Sequence, residues 1–109
     1  MTEAAVSLGV DVGGSSVKAV LMRDGAVVGE GASGAYARPG ADEIRAAVDG
    51  AVGQCRAAAG SLGAGSLDVA GVGLCLPGRF DAERGCVMRS VNAPGLEGVT
   101  VGDLISGAW

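Results

Sequence analysis

The first 31 residues of the chain hold three short apolar segments separated by glycine-containing turns. Residues 6–12 alternate apolar side chains with others, residues 17–22 form a second apolar run, and residues 26–31 form a third. Alternation with a period of two over such lengths predicts β-strands. Asp24 and Gly25 join the second and third segments, and an Asp-Gly pair in this position is a strong hairpin signal. The chain is therefore predicted to begin with a three-stranded antiparallel meander.

The middle of the chain changes from this alternation to a helical period. Apolar residues recur every three or four positions over residues 44–59, which predicts one amphipathic helix ending near Gly60. A further buried strand is predicted over residues 69–76, with small side chains on one of its faces. A turn, a short strand over residues 86–91 and one helical turn over residues 102–106 follow. This mixture of strands and a helix indicates an α/β domain.

Composition and charge exclude several classes of protein. Apolar residues make up 49% of the chain and charged residues 18%, which is too apolar for a disordered protein. The net charge is −4 and no Lys/Arg cluster forms a basic stripe, so nucleic acid is not an expected partner. No apolar run is long enough to span a membrane, and the N-terminus lacks the basic and apolar regions of a signal peptide. The expected location is the cytoplasm.

Histidine and cysteine usage limits the chemistry further. The chain contains no histidine, which excludes a Ser-His-Asp triad and a His-ligated zinc site within it. The three cysteines, Cys55, Cys75 and Cys86, are far apart and form no CxxC pattern. They are predicted to be reduced thiols and small core residues.

One segment near the N-terminus carries a pattern suited to phosphate binding. An acidic residue near a strand end is followed by two glycines, a hydroxyl and a lysine: Asp11, Gly13, Gly14, Ser15 and Lys18. Glycines let backbone N–H groups approach an anionic oxygen, a serine hydroxyl can donate to the same phosphate, and a carboxylate can hold Mg²⁺. The alternative is a plain hairpin turn with a turn-capping Asp11 and a solvated Lys18. The segment is neither a Walker A loop nor a GxGxxG fingerprint.

This segment, Asp-Val-Gly-Gly-Ser-Ser-Val-Lys, resembles the first phosphate motif of the actin-like ATPase and sugar kinase superfamily. Residues 72–78, 92–94 and 101–104 follow in an order and spacing similar to the ROK family (repressor, ORF, kinase), which contains glucokinases and other hexose kinases. The matches run through nearly the whole chain. The first motif is shared with FGGY carbohydrate kinases, whereas Pro77-Gly78 together with Asn92-Ala93-Pro94 favours the ROK family.

The resemblance implies ATP-dependent phosphoryl transfer to a hexose hydroxyl, with ATP and sugar in a cleft between two domains. It implies that the ATP phosphates and Mg²⁺ are faced by Asp11, Gly13, Gly14 and Ser15. Lys18 belongs to the same motif, and either a phosphate contact or a structural ion pair fits it.

The second half of the resemblance concerns the sugar. Gly78 and Asn92 would lie near it, where an amide can both donate to and accept from hydroxyls. The alternative for Asn92 is an Asx-type turn before Pro94. Asp81 and Asp103 are interpreted as a turn residue and a helix cap rather than as catalytic groups.

The fold that the resemblance implies is an incomplete ribonuclease H-like (actin-like ATPase) lobe of the α/β class. Its mixed sheet would have strand order 3-2-1-4, with strands 1–3 antiparallel, the fourth strand parallel to the first, and one main helix on a face. Residues 1–109 are predicted to form a single truncated N-terminal lobe. One sheet edge and part of a face would remain uncovered, which favours homo-oligomerisation.

Several parts of a ROK kinase are absent from this sequence. The general base of the family is an aspartate in an Asn-Asp motif beyond the next strand, and no residue here is assigned that role. The Cys- and His-containing zinc motif, the second phosphate motif and the C-terminal domain are absent as well. Because phosphoryl transfer requires stabilisation from both sides of the phosphate, the 109-residue chain is predicted to be inactive on its own.

Other interpretations remain open at the level of sequence. The chain is either a kinase fragment, of the ROK or FGGY kind, or a stand-alone module that binds a phosphate or sugar or dimerises. A ROK transcriptional repressor carries a DNA-binding segment ahead of the phosphate motif. Met1 lies only ten residues before Asp11, which counts against that class.

Overall fold

The computed structural model describes residues 5–61 and 69–105. The helices and strands in chain order are β1 (Val6–Val12), β2 (Val17–Arg23), β3 (Ala26–Ala32), α1 (Ala41–Ser61), β4 (Val69–Cys75), β5 (Arg79–Asp81), β6 (Cys86–Arg89), a 3₁₀ turn (Pro94–Leu96) and α2 (Val101–Ile105). None of the helices in these ranges has the length and apolar character needed to cross a membrane.

Four of the strands form one mixed sheet in the order β3-β2-β1-β4. β1 pairs antiparallel with β2, β2 pairs antiparallel with β3, and β4 lies parallel to β1 on the other side. This confirms the predicted strand order and the parallel fourth strand. The hairpin between β2 and β3 is also confirmed, since Asp24 and Gly25 both have positive φ angles, 53° and 74°, as the predicted two-residue turn requires.

The sheet has two unlike faces, which we call the inner and the outer face. The inner face carries the alternating apolar side chains that the sequence predicted, and they are buried against α1. The inner-face residues of β1 and β2 are Val6, Leu8, Val10, Val12, Val17, Ala19 and Leu21. The helix contributes the other half of this core with Ile44, Val48, Ala51, Val52, Cys55 and Ala59.

Helix α1 lies unusually close to β3 because two glycines of that strand face it. A Cβ atom at Gly29 would clash with the carbonyl oxygen of Cys55, and one at Gly31 would clash with the carbonyl oxygen of Ala51. Only a residue without a side chain allows this approach of helix backbone to strand backbone.

The C-terminal part, from β5 onward, packs beside the end of this layer. Three predictions for this part and one for Cys75 of β4 are corrected by the structure. β5 was missed because three residues are too short for a periodic signal, and it pairs with β6, which ends at Arg89 rather than residue 91. Helix α2 is capped by Thr100, whose hydroxyl accepts the N–H of Asp103 at 3.2 Å, so Asp103 is not the cap itself. Cys75 is exposed, not a core residue, because it lies on the outer face.

The outer face has small residues at its centre. Gly9 and Gly73 are register partners on β1 and β4, and a Cβ atom at Gly71 or Gly73 would meet nothing within 4 Å. No described segment therefore lies against this part of the sheet. Val27 of β3, whose side chain is exposed, lies at one side of this outer face.

Candidate functional site

The glycine-rich segment forms the turn between β1 and β2, at the carboxyl end of β1. The N–H of Gly13 donates to the carbonyl oxygen of Ser16 at 2.9 Å, which closes the turn. A Cβ at Gly13 would lie only 3.0 Å from that oxygen, so glycine suits the position. The hairpin alternative is correct as a description of the backbone. Since β1 and β4 are parallel, their carboxyl ends meet at this edge, where ligands commonly bind in α/β sheets.

Three consecutive backbone N–H groups follow Gly13 in this turn. Neither Gly14, Ser15 nor Ser16 donates its backbone N–H to any residue that the structure describes. Gly14 and Ser15 are exposed, and Ser16 is half-buried. Successive N–H groups that are left without an internal acceptor in a turn can form concavities that bind anions. The turn is therefore both a hairpin and a set of donors suited to a phosphate oxygen.

Asn92 lies directly against the glycine turn. A Cβ at Gly14 would lie 3.2 Å from the Cβ of Asn92. The segment that contains Asn92 is stabilised by Ser90, which is buried. The hydroxyl of Ser90 accepts the N–H of Ala93 at 3.1 Å. The backbone N–H of Ser90 in turn donates to a carboxylate oxygen of Glu97 at 3.2 Å. The local bond is thus made by Ser90, and no Asx-type bond from Asn92 occurs among the described residues.

Gly78 connects to the same segment through backbone contact. It has a φ of 109°, which disfavours any other residue, and a Cβ there would clash with the carbonyl oxygen of Arg89. The same Cβ would come within 3.0 Å of the Cα of Ser90. Gly78 therefore packs on the strand that leads into Asn92. The two residues assigned to the sugar and the glycine turn form one continuous cluster.

Asp11 and Lys18 occupy the outer face beside this cluster. They are register partners on β1 and β2, and both are exposed. Together with Glu30 and Cys75 they line an open concavity of about 790 Å³. Neither makes an ion pair with a residue in the described ranges, so the structural ion pair considered for Lys18 is not formed there.

The loop over residues 33–40 supports the turn, and sequence analysis missed its role. The hydroxyl of Tyr36 donates to the carbonyl oxygen of Gly13 at 2.6 Å, and its backbone N–H donates to the carbonyl oxygen of Ser15 at 2.8 Å. The hydroxyl of Ser33 accepts the N–H of Val17 at 2.8 Å. These partners are 16 to 23 residues apart, so no local pattern predicts them. The one available signal was a single tyrosine in a loop of small residues.

Tyr36 is also electrostatically coupled to the site. Its burial raises the pKa of the phenol, and the negative charges of Asp11 and Glu43 raise it further. The group therefore remains a protonated donor toward Gly13 through the neutral pH range. The coupling indicates that the carboxylate of Asp11 is near enough to the phenol for its charge to act on it.

The described residues contain no group of three or more Cys, Asp or Glu side chains that could hold a metal ion by themselves. Asp11 is the acidic residue nearest the turn in sequence. Mg²⁺ commonly takes one or two carboxylates and completes its shell with water and substrate phosphates. A single carboxylate beside the turn fits an ion that arrives with a phosphate ligand.

Two solved structures of ROK family kinases share this α/β fold. The ROK hexokinase from Thermus thermophilus superposes with a TM-score of 0.71 and 19% identity, covering 94% of this chain and 32% of its own. The ROK family glucokinase from Streptomyces griseus was solved in complex with glucose and AMPPNP. It superposes with a TM-score of 0.68 and 23% identity, covering 94% of this chain and 30% of its own.

These likenesses establish the fold, which this chain shares with part of each ROK kinase, and they confirm the predicted fold class. The chain spans about a third of the length of either structure. No protein-family model and no curated protein matches the sequence.

Proposed function

We propose that this chain is the N-terminal, phosphate-binding lobe of a ROK-type sugar kinase, which transfers a phosphoryl group from ATP to a hydroxyl of a hexose. The observation that carries the proposal is the row of N–H groups on Gly14, Ser15 and Ser16, which have no partner among the described residues. They lie at the carboxyl end of β1 and against Asn92. Both structures described above are ROK kinases, which supports this family over the FGGY kinases.

The ATP phosphates would be held by the glycine turn. Its N–H groups supply donors without a side chain in the way at Gly13 or Gly14, and the hydroxyl of Ser15 adds another. Asp11 would hold Mg²⁺, directly or through water, and the ion would neutralise charge on the phosphates. Lys18, exposed and without a described ion-pair partner, supplies a positive charge beside the same carboxylate. The complex of the Streptomyces griseus glucokinase with AMPPNP supports a nucleotide ligand.

The sugar would lie beside Asn92 and Gly78. The amide of Asn92 can donate to one hydroxyl and accept from another, and it is exposed next to the turn. Its place against Gly14 would bring a sugar hydroxyl and the terminal phosphate of ATP to the same edge of the sheet. That juxtaposition is what an in-line transfer requires.

We propose further that residues 1–109 do not catalyse phosphoryl transfer by themselves. A general base within hydrogen-bonding distance of the sugar hydroxyl is needed, and no aspartate or glutamate of this sequence is assigned that role. The base and the second set of phosphate contacts would come from a second lobe.

The free cysteines and the use of ATP support a cytoplasmic location.

A direct test is to follow the backbone amides of the 109-residue chain by NMR while adding magnesium–ATP. We expect the resonances of Gly14, Ser15 and Ser16 to shift, and adenosine without phosphates to leave them unchanged. Asp11→Asn should weaken the magnesium-dependent part of binding. Asp24→Asn is the matched control, because Asp24 has a positive φ that asparagine tolerates and lies at the other end of β2. Amides of the turn that do not respond to magnesium–ATP would overturn the proposal.

The sugar kinase assignment has its own test. The chain would replace the corresponding N-terminal segment of the Streptomyces griseus glucokinase, and glucose-dependent ADP release would be measured. We expect activity in the chimera, a large loss with Asp11→Asn, and none from residues 1–109 alone. Hexose-dependent ADP release by the isolated chain would refute the proposed need for a second lobe. A folded chimera that binds magnesium–ATP without transfer would refute the kinase assignment.

A further inference from the structure

Tyr36 makes two hydrogen bonds to the glycine turn, and both go to carbonyl oxygens. The phenol bonds the oxygen of Gly13 at 2.6 Å and the backbone N–H bonds the oxygen of Ser15 at 2.8 Å. The ring is buried, with 9% of its surface exposed, so the residue is held in place by packing. One residue therefore fixes two of the peptide units that form the turn.

The orientation of a carbonyl determines the orientation of the following N–H. A trans peptide unit is planar, and its C=O and N–H bonds point in opposite directions. No cis peptide bond occurs among the described residues. When the oxygen of Gly13 points to Tyr36, the N–H of Gly14 must point away from it. The same holds for the oxygen of Ser15 and the N–H of Ser16.

We infer that Tyr36 is a positioning residue that presets the N–H groups of Gly14 and Ser16 toward an anionic ligand on the far side of the turn. The inference rests on the proposed function and adds a residue to it. Without the phenol, the unit joining Gly13 and Gly14 is free to rotate, and ligand binding has to order it. Preorganised donors bind more tightly because that ordering cost is already met by the fold.

A single substitution can remove one of the two Tyr36 hydrogen bonds and keep the other, so the inference can be tested at each peptide unit. Tyr36→Phe removes the bond to Gly13 but keeps the ring packing and the backbone bond to Ser15. We therefore expect the response of the Gly14 amide to inorganic pyrophosphate to fall while that of Ser16 persists. The affinity for pyrophosphate should fall by about three- to tenfold, the range that one hydrogen bond commonly contributes.

Ser33→Ala is the matched control. It removes both hydrogen bonds of the Ser33 hydroxyl, which accepts the N–H of Val17 and donates to the carbonyl oxygen of Gly34, without touching a carbonyl of the turn. We expect Ser33→Ala to lower the melting temperature about as much as Tyr36→Phe does, and to leave the affinity for pyrophosphate unchanged.

A second readout uses the fact that Tyr36 is the sole tyrosine of the chain. The ultraviolet spectrum during an alkaline titration therefore reports the tyrosinate of this residue alone. Pyrophosphate bound at the turn places negative charge near the phenol, so we expect its pKa to rise further on saturation. A ligand bound elsewhere on the molecule would leave it unchanged.

The outcomes separate the two claims. If the wild-type chain shows no amide response to pyrophosphate or magnesium–ATP, the proposed function fails and the positioning role falls with it. If the wild type binds but Tyr36→Phe binds equally well, with an unaltered Gly14 response, the phosphate site stands and the positioning role is refuted. A loss of affinity in Ser33→Ala equal to that in Tyr36→Phe also refutes it, because the effect would then be general loosening of the loop.

Discussion

Single glycines decide how near the helix comes to the sheet. Gly29 and Gly31 face α1, and a Cβ at either would run into a helix carbonyl oxygen, which cannot move aside as a side chain can. We expect Gly29→Ala and Gly31→Ala each to lower the free energy of unfolding by about 1–3 kcal/mol. Urea unfolding measures this. Gly73→Ala is the control, since its Cβ would meet nothing within 4 Å. A neutral Gly31→Ala would contradict the close packing.

Tyr36 also makes stability depend on pH in the alkaline range. Its pKa is raised in the folded chain by burial, then by Asp11 and Glu43, so the folded state holds the proton more tightly than the unfolded state. That contribution is fully present below about pH 10, the ordinary pKa of tyrosine, and is lost as pH rises through the folded value. We expect the unfolding free energy to fall less steeply with pH above 10 in Tyr36→Phe than in wild type.

The thiol of Cys55 contributes in the same direction and must be separated in that experiment. Burial raises its pKa, and the charge of Glu30 adds to the effect. The comparison is therefore made in a Cys55→Ala background, by denaturant unfolding at a series of pH values. If wild type and Tyr36→Phe have parallel pH profiles in that background, the phenol is not the coupled group.

At the scale of elements, α1 owes its stability to docking rather than to its own sequence. Gly50 and Gly53 lie in its interior, both exposed, with nothing within 4 Å of a Cβ at either position. We expect Gly50→Ala and Gly53→Ala each to raise the free energy of unfolding by about 0.5–1 kcal/mol, because alanine loses less backbone entropy in a helix. Thermal unfolding followed by circular dichroism measures the gain. A loss of stability would mean that these positions are in contact with something.

The elements differ in how well sequence predicts them. β1 to β3 were predicted to within one residue and α1 to within three, because their core side chains follow one period throughout. β5 was missed, since a three-residue strand has no period and forms only by pairing with β6. In the site, the glycine turn was predicted from its residue types alone. Tyr36 was not, because its partners lie 21 or more residues away and depend on how the loop folds back over the sheet.

At the scale of the whole molecule, the two faces of the sheet differ in how much of each is covered. The inner face is filled by α1, whereas on the outer face a Cβ at Gly71 or Gly73 would meet no described atom within 4 Å and Val27 is 51% exposed. An uncovered sheet face with an apolar edge favours association. We propose that the 109-residue chain self-associates through this face as its concentration rises.

Sedimentation velocity tests this proposal. Val27→Lys should shift the distribution toward monomer, because a charged side chain on the outer face is costly to bury against another chain. Val91→Lys is the matched control, since Val91 is 75% exposed but lies outside the sheet. A chain that stays monomeric at all concentrations, or one that both substitutions affect equally, would argue against the outer face as the contact surface.

The Asp24–Gly25 hairpin has a practical use. It lies at the opposite end of β2 from the glycine turn, and the seven residues of that strand separate the two by about 23 Å. Both turn residues are exposed, and a Cβ at Gly25 would meet nothing within 4 Å. A fluorophore, an affinity tag or a link to a solid support could be inserted there. The lobe could then be displayed with its loop cluster facing away from the attachment point.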